Sequence, residues 1–247
     1  MKTVLIFVLL ALTGCASTGS STVDKTKMAE GYFMKGLAYF QQNNLELASS
    51  EFNRSIQTDS SNKLSYYYLG LISDYQDKLD DAIKYYNQAI NVDSDFSEAY
   101  NALGRVYSKQ QKWKDAIKYY KKTLENKLYT SPHLPYYNIG EVYMAQKEYE
   151  KAAEAFREAK RYVIQDFIIY RLGTALLEAG KIKEAISQFQ EGVDMAPQSA
   201  LMRYSLALAF LKDGNKKSAL AEFKKAAELA PKTEIARKAN DYIKTLR

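Results

Sequence analysis

Small, apolar and aromatic residues recur along this chain on two nested periods, one of three to four residues, as on a single helix face, and one far longer. Glycines stand at Gly36, Gly70, Gly104, Gly140 and Gly173, and Ala207 continues the series, at spacings of 34, 34, 36, 33 and 34. Twelve residues after each comes an alanine: Ala48, Ala82, Ala116, Ala152, Ala185 and Ala219. Four further on there is always a ring, at Phe52, Tyr86, Tyr120, Phe156, Phe189 and Phe223. Three beyond the ring a small residue returns, at Ser55, Ala89, Thr123, Ala159, Gly192 and Ala226. Four positions kept in six copies predict six helix pairs of one design.

The pattern carries its own packing logic. The Gly or Ala on the first helix and the Ala on the second lack bulk where the two cross, so the backbones can approach closely. The ring is expected to fill the space toward the next copy. A pair of this size buries little by itself, so stability has to come from stacking neighbours. Residues 234–247 alternate Ile235, Ala236, Ala239, Tyr242, Ile243 and Leu246 with charges, and read as a polar-backed helix capping the last copy.

This arrangement resembles the tetratricopeptide repeat, whose aromatic-x-x-Leu-Gly-x-x-Tyr … Ala-x-x-x-Phe … Pro pattern is best kept in the second to fourth copies. The resemblance implies an all-α, right-handed solenoid of six tetratricopeptide helix pairs with a C-terminal capping helix. Departures concentrate at the ends, as expected of terminal repeats. Lys35 replaces the usual Leu in the first copy, Ser73 the usual Tyr in the second, and Arg203 and Lys216 two apolar sites in the sixth. The third spacing is two residues longer, and Pro132 and Pro135 lie in that junction beside His133. A proline-stiffened insertion is expected to divide the solenoid into repeats 1–3 (residues 29–130) and repeats 4–6 (residues 131–233).

The N-terminus follows a different rule. Lys2 precedes nine apolar residues, Val4 to Leu12, which as a helix would rise only about 14 Å, roughly half a hydrocarbon core. The segment reads as a secretory signal over residues 1–14. Leu12-Thr13-Gly14-Cys15 resembles the lipobox of bacterial lipoproteins, which implies cleavage before Cys15 and acylation of that sole cysteine. An ordinary secretory signal that happens to contain Cys is the plainer alternative. Ala16 in place of an Asp implies the outer membrane, with the chain lipid-anchored at its periplasmic face. Residues 15–28, rich in Ser and Thr, are expected to form a flexible tether.

Composition mainly excludes. One Cys and one His leave no multi-ligand zinc centre and no disulfide within the chain. No Gly-rich phosphate loop, Gly-x-Ser-x-Gly or His-Glu-x-x-His occurs, so an enzyme, a cofactor or a bound metal is not expected. A net charge of +6 from 35 basic and 29 acidic residues is too mild and interspersed to predict nucleic-acid binding. The charges are nonetheless uneven. Residues 43–98 hold ten acidic against four basic side chains, and residues 105–127 hold eight basic against two acidic. Lys114, Lys118, Lys121 and Lys122 fall on successive turns of one helix, as either a solvated face or a contact for anionic lipid or an acidic partner.

The resemblance places the first helices on a concave face, notably the residues three before the Gly and one or four after it. Those candidates are Phe33, Leu37, Phe40, Tyr67, Leu71, Tyr137, Tyr170, Tyr204 and Leu208, apolar toward both ends with a polar middle. Tyrosine, present 21 times, offers large contact area at low entropic cost, although repeat packing itself also consumes rings. Where some family members clamp a terminal carboxylate with Lys, Asn and Arg, the first copy has Phe33 and Leu37. The groove is therefore expected to favour an apolar or amphipathic protein segment. A lipoprotein tether carrying six such repeats resembles the pilotin-type lipoproteins of type IV pilus systems, which implies an outer-membrane secretin as partner and its assembly as the task. A periplasmic adaptor for peptidoglycan-processing enzymes and an accessory lipoprotein of outer-membrane β-barrel assembly are the alternatives.

Overall fold

The computed structural model describes residues 18–246, and among them forms thirteen helices: α1 Thr18–Gln41, α2 Leu45–Thr58, α3 Lys63–Tyr75, α4 Leu79–Val92, α5 Ser97–Lys109, α6 Trp113–Glu125, α7 His133–Ala145, α8 Tyr149–Tyr162, α9 Asp166–Glu178, α10 Ile182–Met195, α11 Ala200–Lys212, α12 Lys216–Leu229 and α13 Glu234–Leu246. Helices pack mainly on their neighbours in sequence, as six antiparallel pairs stacked into a solenoid, with α13 on α12 and α11. Among the described residues the apolar clusters run continuously from Phe33 to Leu246, so this stretch carries a core of its own. None of the described helices is long and apolar enough to cross a membrane.

Each pair is closed by the same contact. A Cβ added to Gly36, Gly70, Gly104, Gly140 or Gly173 would lie 2.7, 2.5, 2.5, 2.5 or 2.6 Å from the ring sixteen residues later, on Phe52, Tyr86, Tyr120, Phe156 or Phe189. The ring therefore lies over the glycine of its own repeat. It also packs toward the next repeat, as expected: Phe52 stacks on Tyr68 with centroids 5.3 Å apart, and Tyr120 shares a cluster with Ile139 and Val142. In the sixth repeat Ala207 and Phe223 share a cluster and both are buried.

The turns between paired helices repeat as well. Asn43, Asp77, Gln111, Lys147, Gly180 and Gly214 all have positive φ, between 57° and 79°. The residue that follows donates its N–H to the carbonyl five positions back, as from Asn44 to Tyr39 and Lys112 to Tyr107, both at 2.9 Å. This left-handed closure satisfies carbonyls that the helix end leaves free. Asn44, Asn62, Ser199 and Asn215 cap the helices that follow them by accepting from a backbone N–H.

Two expectations need correction. The stretch read as a flexible tether is helical from Thr18, continuing α1 ahead of the first repeat. Once a helix is nucleated by packing, here with Ala29 buried and its carbonyl accepting from Ser55 Oγ at 2.8 Å, each added turn costs little, even for Ser and Thr. The long junction also leaves the core undivided. Ala116 and Tyr120 of α6 share one cluster with Ile139 and Val142 of α7. Three of the four atypical side chains have polar partners. Lys35 pairs with Glu51 at 2.9 Å, Ser73 Oγ donates to the Leu69 carbonyl at 2.9 Å, and Arg203 pairs with Glu222 at 2.8 Å. At the far end, Tyr242 of α13 stacks on Phe223 with centroids 4.7 Å apart. The signal segment and Cys15 lie outside the described residues.

Candidate functional site

The rings three places before the glycines divide the expected groove residues into two groups. Phe33 packs on Phe52, Tyr67 on Tyr86, Tyr137 on Phe156, Tyr170 on Phe189 and Tyr204 on Phe223, with centroids 5.4 to 6.4 Å apart. Phe33, only 5% exposed, belongs to the core: Tyr68 of the next repeat covers its other side at 5.8 Å. The four tyrosines are half-buried, since a phenol can pack its ring and keep the hydroxyl near water. Leu37, Phe40, Leu71 and Leu208 are also half-buried and rest against the clusters.

A cavity of about 720 Å³ opens on the first four repeats. Of the expected residues it gathers Phe40 and Leu71. Phe33, Leu37, Tyr67 and Tyr137 stand on the same repeats outside its lining, and Tyr170, Tyr204 and Leu208 lie along later repeats. Phe40, Leu45, Leu71, Trp113 and Val142 supply apolar walls, and Tyr75, 74% exposed, stands at the rim.

The floor is ionic. Asp74, its side chain 6% exposed, accepts from Arg105 Nη2 at 2.8 Å and from Lys109 Nζ at 2.5 Å, while the two cations remain nearly half exposed. Two positive charges on one buried carboxylate leave an excess of one in the cavity. Glu141 at the far side is already engaged by Arg171. Burial first, and then the Asp74 carboxylate, push the Tyr86 phenol far above its ordinary range, and its hydroxyl is buried without a hydrogen-bond partner. The Tyr120 phenol is pushed up to about 12 by burial, with its hydroxyl 3.2 Å from Ser108 Oγ.

Trp113, Leu45, Tyr75 and Asn138 were not among the expected residues, because they lie outside the three positions taken from the resemblance. The Asp74 pairing had a usable signal. Asp74 is four places after its glycine and Arg105 one place after the next, so an acid and a base already stood on neighbouring inner positions. Part of the apparent acidic-then-basic segregation is thus consumed inside the groove. Among the described residues no group of three or more His, Cys, Asp or Glu is placed to hold a metal ion.

The helix-pair solenoid agrees in fold with known proteins. The sequence model of the tetratricopeptide repeat family matches residues 101–162 and 170–233, and related repeat models match residues 75–111 and 29–62. No curated protein sequence matches the chain. Among solved structures, PilF of Pseudomonas aeruginosa superposes with a TM-score of 0.73 at 17% identity, over 88% of this chain and 99% of that one. PilW, described as a widely conserved type IV pilus biogenesis factor, gives 0.72 at 16% identity, over 86% and 98%. YrrB, a TPR protein with an unusual peptide-binding site, gives 0.64 at 22% identity, over 77% and 97%. At these identities the likeness is one of fold. The family matches together cover most of the chain, which therefore belongs to the tetratricopeptide repeat family of protein-binding scaffolds.

Proposed function

We propose that the chain is an outer-membrane lipoprotein, acylated at Cys15, whose solenoid captures an apolar segment of a secretin and assists its assembly for type IV pili. The observation that carries this reading is the cavity on the first four repeats. Its size suits a few side chains of a bound segment, and its apolar walls over an ionic floor suit an amphipathic one. The fold likeness to PilF and PilW, across nearly the whole of both chains, supports the assignment to pilus biogenesis.

Removing Leu71 and Tyr75 deletes wall and rim, at about 1.5-3 kcal/mol of lost binding for each large side chain fully buried by the partner. The double variant Leu71→Ala with Tyr75→Ala is expected to leave secretin monomers unassembled while the lipoprotein stays abundant. The readout is the multimer-to-monomer ratio in membranes, beside the melting curve of the purified variant. Normal multimers with a stable variant remove the cavity from the mechanism. Recovery of a cell-wall hydrolase instead of a secretin from native membranes overturns the pilus assignment.

A further inference from the structure

Helices α6 and α8 are the second helices of successive repeats, so the loops that follow them emerge on one edge of the solenoid. The first loop presents Leu128, 88% exposed, the most exposed large apolar side chain among the described residues. The second presents Ile164, 60% exposed, between the exposed rings of Tyr162 and Phe167. Tyr162 stacks on Tyr136 with centroids 5.8 Å apart and Phe167 meets Tyr137 edge to face at 5.1 Å, which ties the second loop to the start of α7 and hence to the first.

The Leu128 tip is held in place. Asn126 Oδ1 accepts from the Leu128 N–H at 2.9 Å, and Asn126 Nδ2 donates to the Asp95 carbonyl at 3.2 Å and to Ser97 Oγ at 3.1 Å. A single exposed leucine is ordinary. A leucine fixed at a loop tip, with a second apolar tip on the same edge and a basic helix leading into it, is a different arrangement. Lys114, Lys118, Lys121 and Lys127 are exposed and form no salt bridge among the described residues, whereas Lys122 is paired with Glu125. The opposing carboxylates nearby are Asp115 on α6 itself, Glu125 and Asp95 beside Lys127, and Asp166 two places after Ile164.

We propose that this edge docks on an anionic lipid bilayer, with Leu128 and Ile164 entering the interfacial layer and Lys118, Lys121 and Lys127, toward and beyond the end of α6, facing the headgroups. Projecting apolar tips beside a net positive helix fit a lipid interface, where apolar atoms sink and ammonium groups stay wet, and aromatic rings such as Tyr162 and Phe167 favour the same depth. An acidic protein partner would satisfy the lysines but leave the two tips unexplained. The inference rests neither on the acyl anchor nor on the identity of the groove's client.

The test uses residues 18–247, which contain the whole run of apolar clusters from Phe33 to Leu246 and lack Cys15, in flotation with vesicles of phosphatidylethanolamine and phosphatidylglycerol or of phosphatidylcholine alone. Binding is expected only to the anionic vesicles, weakening with salt. Lys118→Gln, Lys121→Gln and Lys127→Gln together are expected to lower affinity about a hundredfold, at roughly fivefold per charge near the surface. Leu128→Asp with Ile164→Asp is expected to abolish flotation, and both variants should melt as the wild type does because every changed side chain is exposed. Failure of the wild-type chain to float with anionic vesicles, or unchanged flotation of either folded variant, overturns the proposal.

Discussion

Arg105 donates a 2.8 Å hydrogen bond to Asp74, a buried carboxylate on the first helix of the preceding repeat, and so joins α3 to α5 across the floor of the groove. The pair links structure to binding because the atoms that hold two repeats together also set the charge a bound segment meets.

Asp74→Ala removes the shared acceptor of Arg105 and Lys109. Both cations are nearly half exposed and can turn to water, so the loss is expected at about 1-2 kcal/mol, below that of a fully buried pair. Urea unfolding measures it, and the difference from wild type should shrink in high salt. A variant as stable as wild type would show that the bridge contributes nothing to repeat stacking.

Gly104→Ala places a Cβ 2.5 Å from the Tyr120 ring and is expected to destabilise by about 1-3 kcal/mol. Gly31→Ala is the control. Nothing lies within 4 Å of a Cβ there, and an exposed mid-helix glycine replaced by alanine should gain about 0.5-1 kcal/mol. Equal effects at the two sites would contradict ring-over-glycine closure.

Gln111 and Lys147 adopt φ of 57° and 60° in turns where the fifth and sixth repeats use glycine. Gln111→Gly and Lys147→Gly should each stabilise by about 0.5-1 kcal/mol, since a side chain in this conformation costs more than glycine's added chain entropy. Gly180→Ala should destabilise by a similar amount. Melting midpoints shifting in these opposite directions are the outcome to look for.

The buried phenols make stability depend on alkaline pH. Folding raises the Tyr120 value from an ordinary 10.0 to about 12, so the native state holds the proton longer than the unfolded chain does. That contribution is fully present below pH 10 and is lost as pH rises through about 12. Tyr86 acts in the same direction. Tyr86→Phe should flatten the alkaline loss and, by removing a buried hydroxyl with no partner, keep or raise neutral-pH stability by about 1 kcal/mol. Urea midpoints across neutral and alkaline buffers decide it, and an unchanged alkaline slope would count against burial of that phenol.

Deleting residues 234–247 strips Tyr242 from Phe223, a ring with no exposed surface. Fraying should begin at α11 and α12 while the first repeats keep their protection, because each repeat is stabilised by its neighbours. Hydrogen exchange resolved by helix reads this directly. Uniform loss across the solenoid would instead indicate a single cooperative core.

From the sequence alone came the period, the helix pairs, the recurring rings and the cap, because each is a matter of spacing along one helix or of identity between copies, whereas the seating of each ring on its own repeat's glycine came from the structure. Spacing could not tell a groove residue from a core residue. Phe33 and Leu71 both sit on inner-face positions, yet Phe33 is sealed between Phe52 and Tyr68 while Leu71 opens onto the cavity. Phe33 is covered because Tyr68 of the next repeat lies on it, and whether a neighbouring repeat covers an inner position is a property of the stacked solenoid. The same stacking brings Arg105 and Lys109 onto Asp74 and places Trp113 in the groove wall. Tertiary structure therefore decided where the concave surface is open and how its charges pair, since both depend on residues brought together across repeats.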